Sequence, residues 1–164
     1  MCKPCLYKKL FLYYSIIMLL LLLCRQGPDI NAADFSYRNW VADQIHLIPM
    51  ETCSRFWRIL TQPENYIPGM GEDAYQAAWL HAAKNLAGNV VLFIPLGFFP
   101  PLLWDRCRRL WKTGALAAAT MVIVEFTQVL TLRGQCDIDD VILNTLGAAI
   151  GYGIFYILQK RNAA

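Results

Sequence analysis

Hydrophobic positions along this chain come in solid blocks rather than in stripes. Uncharged runs cover 10–24, 85–104 and 141–159, and a fourth block, 113–132, holds one acid, Glu125. A helix rises about 1.5 Å per residue, so about 20 residues cross a hydrocarbon core of about 30 Å. Three blocks reach that length. The first is shorter, but Lys9 and Arg25 at its ends can snorkel to the interfaces and extend it. No run alternates strictly, which excludes barrel strands. The pattern predicts an all-α protein, an integral membrane four-helix bundle with an aromatic-rich exterior segment between helices 1 and 2.

Composition sharpens this reading. The chain of 164 residues is 57% hydrophobic and 16% charged, against about 25% charged in soluble domains. That many apolar side chains need a solvent other than water, so a soluble enzyme is excluded, and disorder with it. A net charge of +3 is too slight for a nucleic-acid binder. The first block resembles a signal peptide behind Lys3, Lys8 and Lys9, yet Asn31-Ala32-Ala33 lacks the first small residue of a cleavage site. Leu23 is also too bulky to precede an acylated Cys24. The block is therefore expected to stay as a span.

Basic residues set the orientation. Nine fall in short segments: three before the first block, four in 105–112 and two after the last block. Positive loops stay in the cytoplasm. The expected layout is a cytoplasmic N-terminus 1–9, spans at 10–26, 85–104, 113–132 and 141–159, and an extracytoplasmic segment 27–84. A cytoplasmic loop 105–112, an extracytoplasmic loop 133–140 and a cytoplasmic tail 160–164 complete it. Within 27–84, Trp40, Phe56, Trp57, Tyr66 and Trp79 predict a cap lying at headgroup depth. Ser54 and Asp73 are candidate helix caps there.

The polar residues inside the apolar blocks carry the chemistry. Gln128 follows Glu125 at i+3 on one helical face. Asp137, Asp140, Asn144, Gly147 and Gly151 are spaced 3, 4, 3 and 4, one continuous stripe of a helix. Asn85 and Asn89 form an i,i+4 pair at the start of the second block. Charges and amides at that depth are costly and should face other helices or water. Gly147 and Gly151 would let a second backbone approach the stripe, within one chain or between two. Asn89, Glu125, Gln128, Arg133, Asp137, Asp140 and Asn144 are thus the candidate pocket, opening to the exterior, with Arg133 at its mouth for a phosphate.

Other chemistry finds little support. Cys2 and Cys5 form a C-x-x-C without the βαβ context of a redox motif. Cys53 and Cys136 both fall outside, and their pairing stays open. Asp137-Ile138-Asp139-Asp140 follows no calcium-loop pattern, so no metal site is assigned. No serine or cysteine has an evident base partner, and no catalytic residue is assigned. Nothing points to a haem, a nucleotide or any other cofactor.

Three ordered motifs resemble those of the VanZ-like membrane proteins. Asn85-Leu86-Ala87-Gly88-Asn89-Val90-Val91-Leu92-Phe93-Ile94-Pro95-Leu96-Gly97-Phe98 is similar to the family's second-span signature. Glu125-x-x-Gln128, Arg133-Gly134, Asp137-Ile138-x-Asp140 and Asn144-Thr145-x-Gly147 resemble its C-terminal signature. His46-Leu47-Ile48-Pro49-Met50 resembles its Asn-Leu-Ile-Pro-Phe element, with His46 and Met50 departing from it. The resemblance spans about 45–155. It implies a multi-pass protein of the cytoplasmic membrane and, from the family's founding activity, low-level resistance to the lipoglycopeptide teicoplanin.

Three readings of the polar residues follow. They hydrogen-bond helices together and nothing more; or they bind a polar headgroup, with membrane lipids and a lipid-linked cell-wall precursor or lipoglycopeptide as expected partners. In the third, Glu125, Asp137, Asp139 and Asp140 serve a lipid- or glycan-modifying enzyme as acid and base. A transporter fits poorly, since four helices show no inverted repeat. The orientation is checked by reporter fusions. A reporter active only outside the cell should work when inserted at Gly134 and fail when fused after Lys160.

Overall fold

Glu125, Asp139, Asn144 and Thr113 are fully buried, whereas Ile123 and Phe126 are 67% and 62% exposed. Such an inside-out distribution is what a hydrocarbon solvent selects, with polar groups turned inward and aliphatic ones outward. The computed structural model describes residues 3–23, 36–62, 71–132 and 136–163. Four of its helices are long and apolar enough to cross a membrane: α1 (Lys3–Leu23), α4 (Glu72–Leu103), α5 (Leu110–Leu130) and α6 (Ile138–Ala163). Between α1 and α4 lie the short α2 (Tyr37–Asp43) and the amphipathic α3 (Glu51–Thr61). A two-residue strand β1 (Ile45–His46) pairs in parallel with β2 (Cys136–Asp137), with His46 opposite Asp137.

Two helices start well ahead of the uncharged runs, by seven and thirteen residues. α1 begins at Lys3 because Pro4 suits the first turn of a helix and Lys8 and Lys9 are good helix formers. α4 begins at Glu72, and its 32 residues give about 48 Å, well beyond the hydrocarbon thickness. Its first three turns, with four alanines beside Gln76 and Leu80, favour helix, and Glu72 and Asp73 in the first turn suit the positive end of the dipole. Asp73 therefore lies inside the helix, and Gly71 takes the N-cap position. Ser54 is likewise no cap. It sits one turn into α3, and its hydroxyl donates back to the Glu51 carbonyl at 2.9 Å.

Helices α4 and α6 meet backbone to backbone. A Cβ added at Gly147 would lie 2.1 Å from the Val90 carbonyl oxygen, and one at Gly151 would lie 1.9 Å from that of Ile94. From the other side, a Cβ at Gly97 would lie 1.9 Å from the Ala148 oxygen. Only hydrogen fits in these directions, which allows Cα–H···O contacts between the helices. Both glycines of the α6 stripe thus pack within the chain. Beside this seam, Phe93, Leu96, Ala117, Met121, Val124 and Ala148 form the apolar core with Met18 of α1. A second cluster, Phe56, Ile59 and Ala82, seats α3 on the projecting part of α4.

The first helix packs through Met18, Phe11 and Leu22 on the core and adds two polar ties. The Tyr14 hydroxyl donates to the Leu92 carbonyl of α4 at 2.7 Å, and the Gln128 amide of α5 donates to the Leu22 carbonyl. Both acceptors are backbone carbonyls, and such side-chain bonds across helices help hold a membrane bundle together.

The seam makes a sharp prediction. Gly147→Ala should cost about 3 kcal/mol or abolish accumulation, because the clashing atom is backbone and cannot swing away. Gly153→Ala, with open space around it, should be neutral. Thermal unfolding of the two variants in detergent separates them.

Candidate functional site

Where the chain turns from α5 into α6, three carboxylates in succession accept backbone N–H groups. Glu125 Oε2 accepts the N–H of Asp137 at 2.6 Å, and Asp137 Oδ1 accepts the N–H of Asp139 at 2.9 Å. Asp139 then accepts two more, Met50 at 2.5 Å on Oδ1 and Cys53 at 2.8 Å on Oδ2. These two donors stand at the N-terminus of α3, where unsatisfied N–H groups and the helix dipole favour an anion. Met50 adopts a left-handed conformation, φ 66°, which is uncommon for a residue with a side chain. That turn aims its N–H and that of Cys53 at the same carboxylate, a nest closed by a side chain from 89 residues further on.

Amides line the adjoining helices. Asn89 of α4 donates its Nδ2 hydrogen to Asp140 Oδ1 of α6. Asn144, one turn below Asp140, is fully buried, and neither of its side-chain polar atoms meets a partner among the described residues. Glu125 Oε1 and Asn85 Oδ1 are buried and unpartnered in the same sense. Such groups inside protein are ordinarily satisfied, and leaving them unpaired is costly.

Two adjoining cavities open here. One, of about 360 Å³, lies among α1, α4, α5 and α6, with Leu21, Leu22 and Met121 on its apolar side and Lys84, Asn89 and Gln128 on its polar side. The other, of about 270 Å³, lies beneath α3 and is lined by Thr52, Arg55, Phe56 and Asp137. His81, Asn85 and Asp140 line both. The Phe56 ring stands edge-on to His81 at 5.6 Å between centroids, and the Arg55 guanidinium lies 5.5 Å from the Phe56 centroid. A lysine, an arginine and a histidine thus share these walls with two aspartates and two asparagines.

Of the residues singled out in the sequence, Asn89, Gln128, Asp137 and Asp140 line these cavities. Glu125 and Asn144 lie fully buried and outside the lining. Arg133 and Gly134 fall outside the described residues. Sequence reasoning passed over Arg55, His81 and Lys84 as parts of the aromatic segment, and it grouped Asp139 with possible acids and bases. The signal for Asp139 was present. Helix α3 has Pro49-Met50 at its start, with no side chain able to cap it, so an outside acceptor was required.

The two cysteines near this turn are free thiols. Burial pushes the Cys53 thiol up to about 12, and the adjacent Asp139 carboxylate adds to the shift. Burial also raises the Cys136 thiol, helped by the carboxylate of Glu125. Each proton is held where a thiolate would sit against a carboxylate.

The chain belongs to the VanZ/LLP1 family, whose profile matches residues 11–159. No curated protein and no solved structure matches it. The matched region contains every element of the site, from Leu21 to Asn144.

Asp139→Asn should loosen α3 by about 2–4 kcal/mol, because one of its two anionic acceptors becomes a donor facing N–H groups. Cys53 reports this directly. Near about pH 8 its protonated, buried thiol should resist iodoacetamide in the wild type. Peptide mass spectrometry should find alkylation raised about tenfold or more in Asp139→Asn.

Proposed function

We propose that this VanZ-like membrane protein binds the polar head of a lipid-anchored cell-envelope ligand in the twin cavities at the α3 end of the bundle. In this reading the site faces outward, and sequestering or shielding the ligand there confers low-level protection against lipoglycopeptides such as teicoplanin. One observation carries the reading. A single continuous lining joins an apolar wall of spanning residues, Leu21, Leu22 and Met121, to Lys84, Asn85, Asn89 and Asp140. A ligand with an acyl tail and a charged, hydrogen-bonding head matches such a wall on both sides. Lys84 and Arg55 supply donors for phosphate or carboxylate, and the asparagines and Asp140 supply partners for amide and hydroxyl groups.

The carboxylates favour binding over acid–base chemistry. Glu125 and Asp137 already accept backbone N–H groups, and Asp139 serves as the cap of α3. A general acid or base needs a reacting proton within hydrogen-bond reach. Glu125 is fully buried and Asp139 is committed to α3, which leaves Asp137 and Asp140 on the cavity walls.

Lys84→Gln and Arg55→Gln test the proposal, since both side chains are exposed and their loss should leave the fold intact. In a susceptible host, expression of the wild type should raise the inhibitory concentration of teicoplanin. The double variant should return it to the level of the empty vector at unchanged membrane abundance. Undiminished protection by the double variant would refute the site. An altered mass of an extracted envelope precursor, dependent on Asp140, would replace binding with catalysis.

A further inference from the structure

The far end of the bundle carries a different groove. It measures about 400 Å³ and runs between the last turns of α4 and α6, walled by Phe98, Leu102, Phe155 and Leu158. Its polar lining is Tyr7 from the start of α1, Gln159, and Arg108 from the turn that joins α4 to α5. Leu102 and Asn85 stand 17 residues apart on α4, about 25 Å along the axis. The groove is therefore separate from the cavities at the α3 end.

Charge marks this end as strongly as shape does. Residues 3–9, 105–112 and 160–161 hold nine lysines and arginines and one acid, Asp105. Arg108 bonds that acid at 3.0 Å, but the two side chains are 51% and 86% exposed. An ion pair so exposed is weak and leaves most guanidinium donors free. The backbone beneath Arg108 is fixed, since its carbonyl accepts the Tyr152 hydroxyl of α6 at 2.7 Å. The groove thus combines apolar walls reaching into the span with a positioned guanidinium at the membrane boundary.

We propose that this groove holds one anionic phospholipid of the bilayer, its acyl chain against Phe98, Leu102, Phe155 and Leu158 and its phosphate on Arg108. A phospholipid is the amphipathic molecule that any bilayer supplies to such a groove. Of the bases at this end, the Arg108 guanidinium is the one that lines the groove, and it selects an anionic headgroup over a zwitterionic one at about 1 kcal/mol. The guanidinium fork matches two phosphate oxygens at once.

Native mass spectrometry of the full chain in detergent tests the site, with phosphatidylglycerol and phosphatidylcholine of matched chains added in equal amounts. The wild type should retain phosphatidylglycerol about fivefold over phosphatidylcholine, the factor that about 1 kcal/mol gives. Arg108→Gln should bring the ratio close to unity without lowering the melting temperature. Leu102→Trp should fill the groove and cut retention of both lipids; Leu158→Trp replaces it if that variant does not fold. Equal retention of the two lipids by the wild type overturns the proposal. So does a preference unmoved by Arg108→Gln, or retention unmoved by the tryptophan.

Discussion

The contact of α4 with α6 through three glycines governs the geometry of this protein. Water cannot drive these helices together in a bilayer, so close packing and polar contacts must do so. With Gly97, Gly147 and Gly151 facing carbonyl oxygens, the two backbones come closer than any side chain would permit. That spacing lets the short amide of Asn89 reach Asp140 across the seam. A wider separation would break that bond across the seam.

Burying four carboxylates in one corner would ordinarily be prohibitive, and the fold answers with backbone dipoles. Asp137, Asp139 and Glu125 each accept main-chain N–H groups, and Asp140 accepts an amide. Such donors stabilise an anion without bringing a compensating cation into the interior. The basic side chains are consequently left on the cavity walls, where Lys84 and Arg55 are exposed.

Much of this was legible in the sequence. Apolar blocks revealed the spans, since their lengths match a bilayer and their interruptions carry charge. The 3, 4, 3, 4 spacing placed Asp137, Asp140, Asn144, Gly147 and Gly151 on one face, and all five are buried. Periodicity did not extend to partners far away in the chain. Asp139 stands off that stripe, and its role depends on a helix that ends before α4 begins. Gln128 lines a cavity, but that its amide donates to the Leu22 carbonyl of α1 is a pairing no spacing could name. The beginning of α4 was hidden for another reason: helix propensity carries it past the uncharged run, and hydropathy registers only the part in lipid.

The cap of α3 also bears on the order of assembly. Cys53 precedes Asp139 by 86 residues, so during synthesis this amphipathic segment emerges well before the acid that anchors it. Its apolar face can settle on α4 once that helix follows, but the first N–H groups must wait for their acceptor until the last hairpin has entered the bilayer. Capping of α3 is then the closing event of maturation, and chains halted before the final helix would keep a frayed, uncapped segment open to proteases and chaperones.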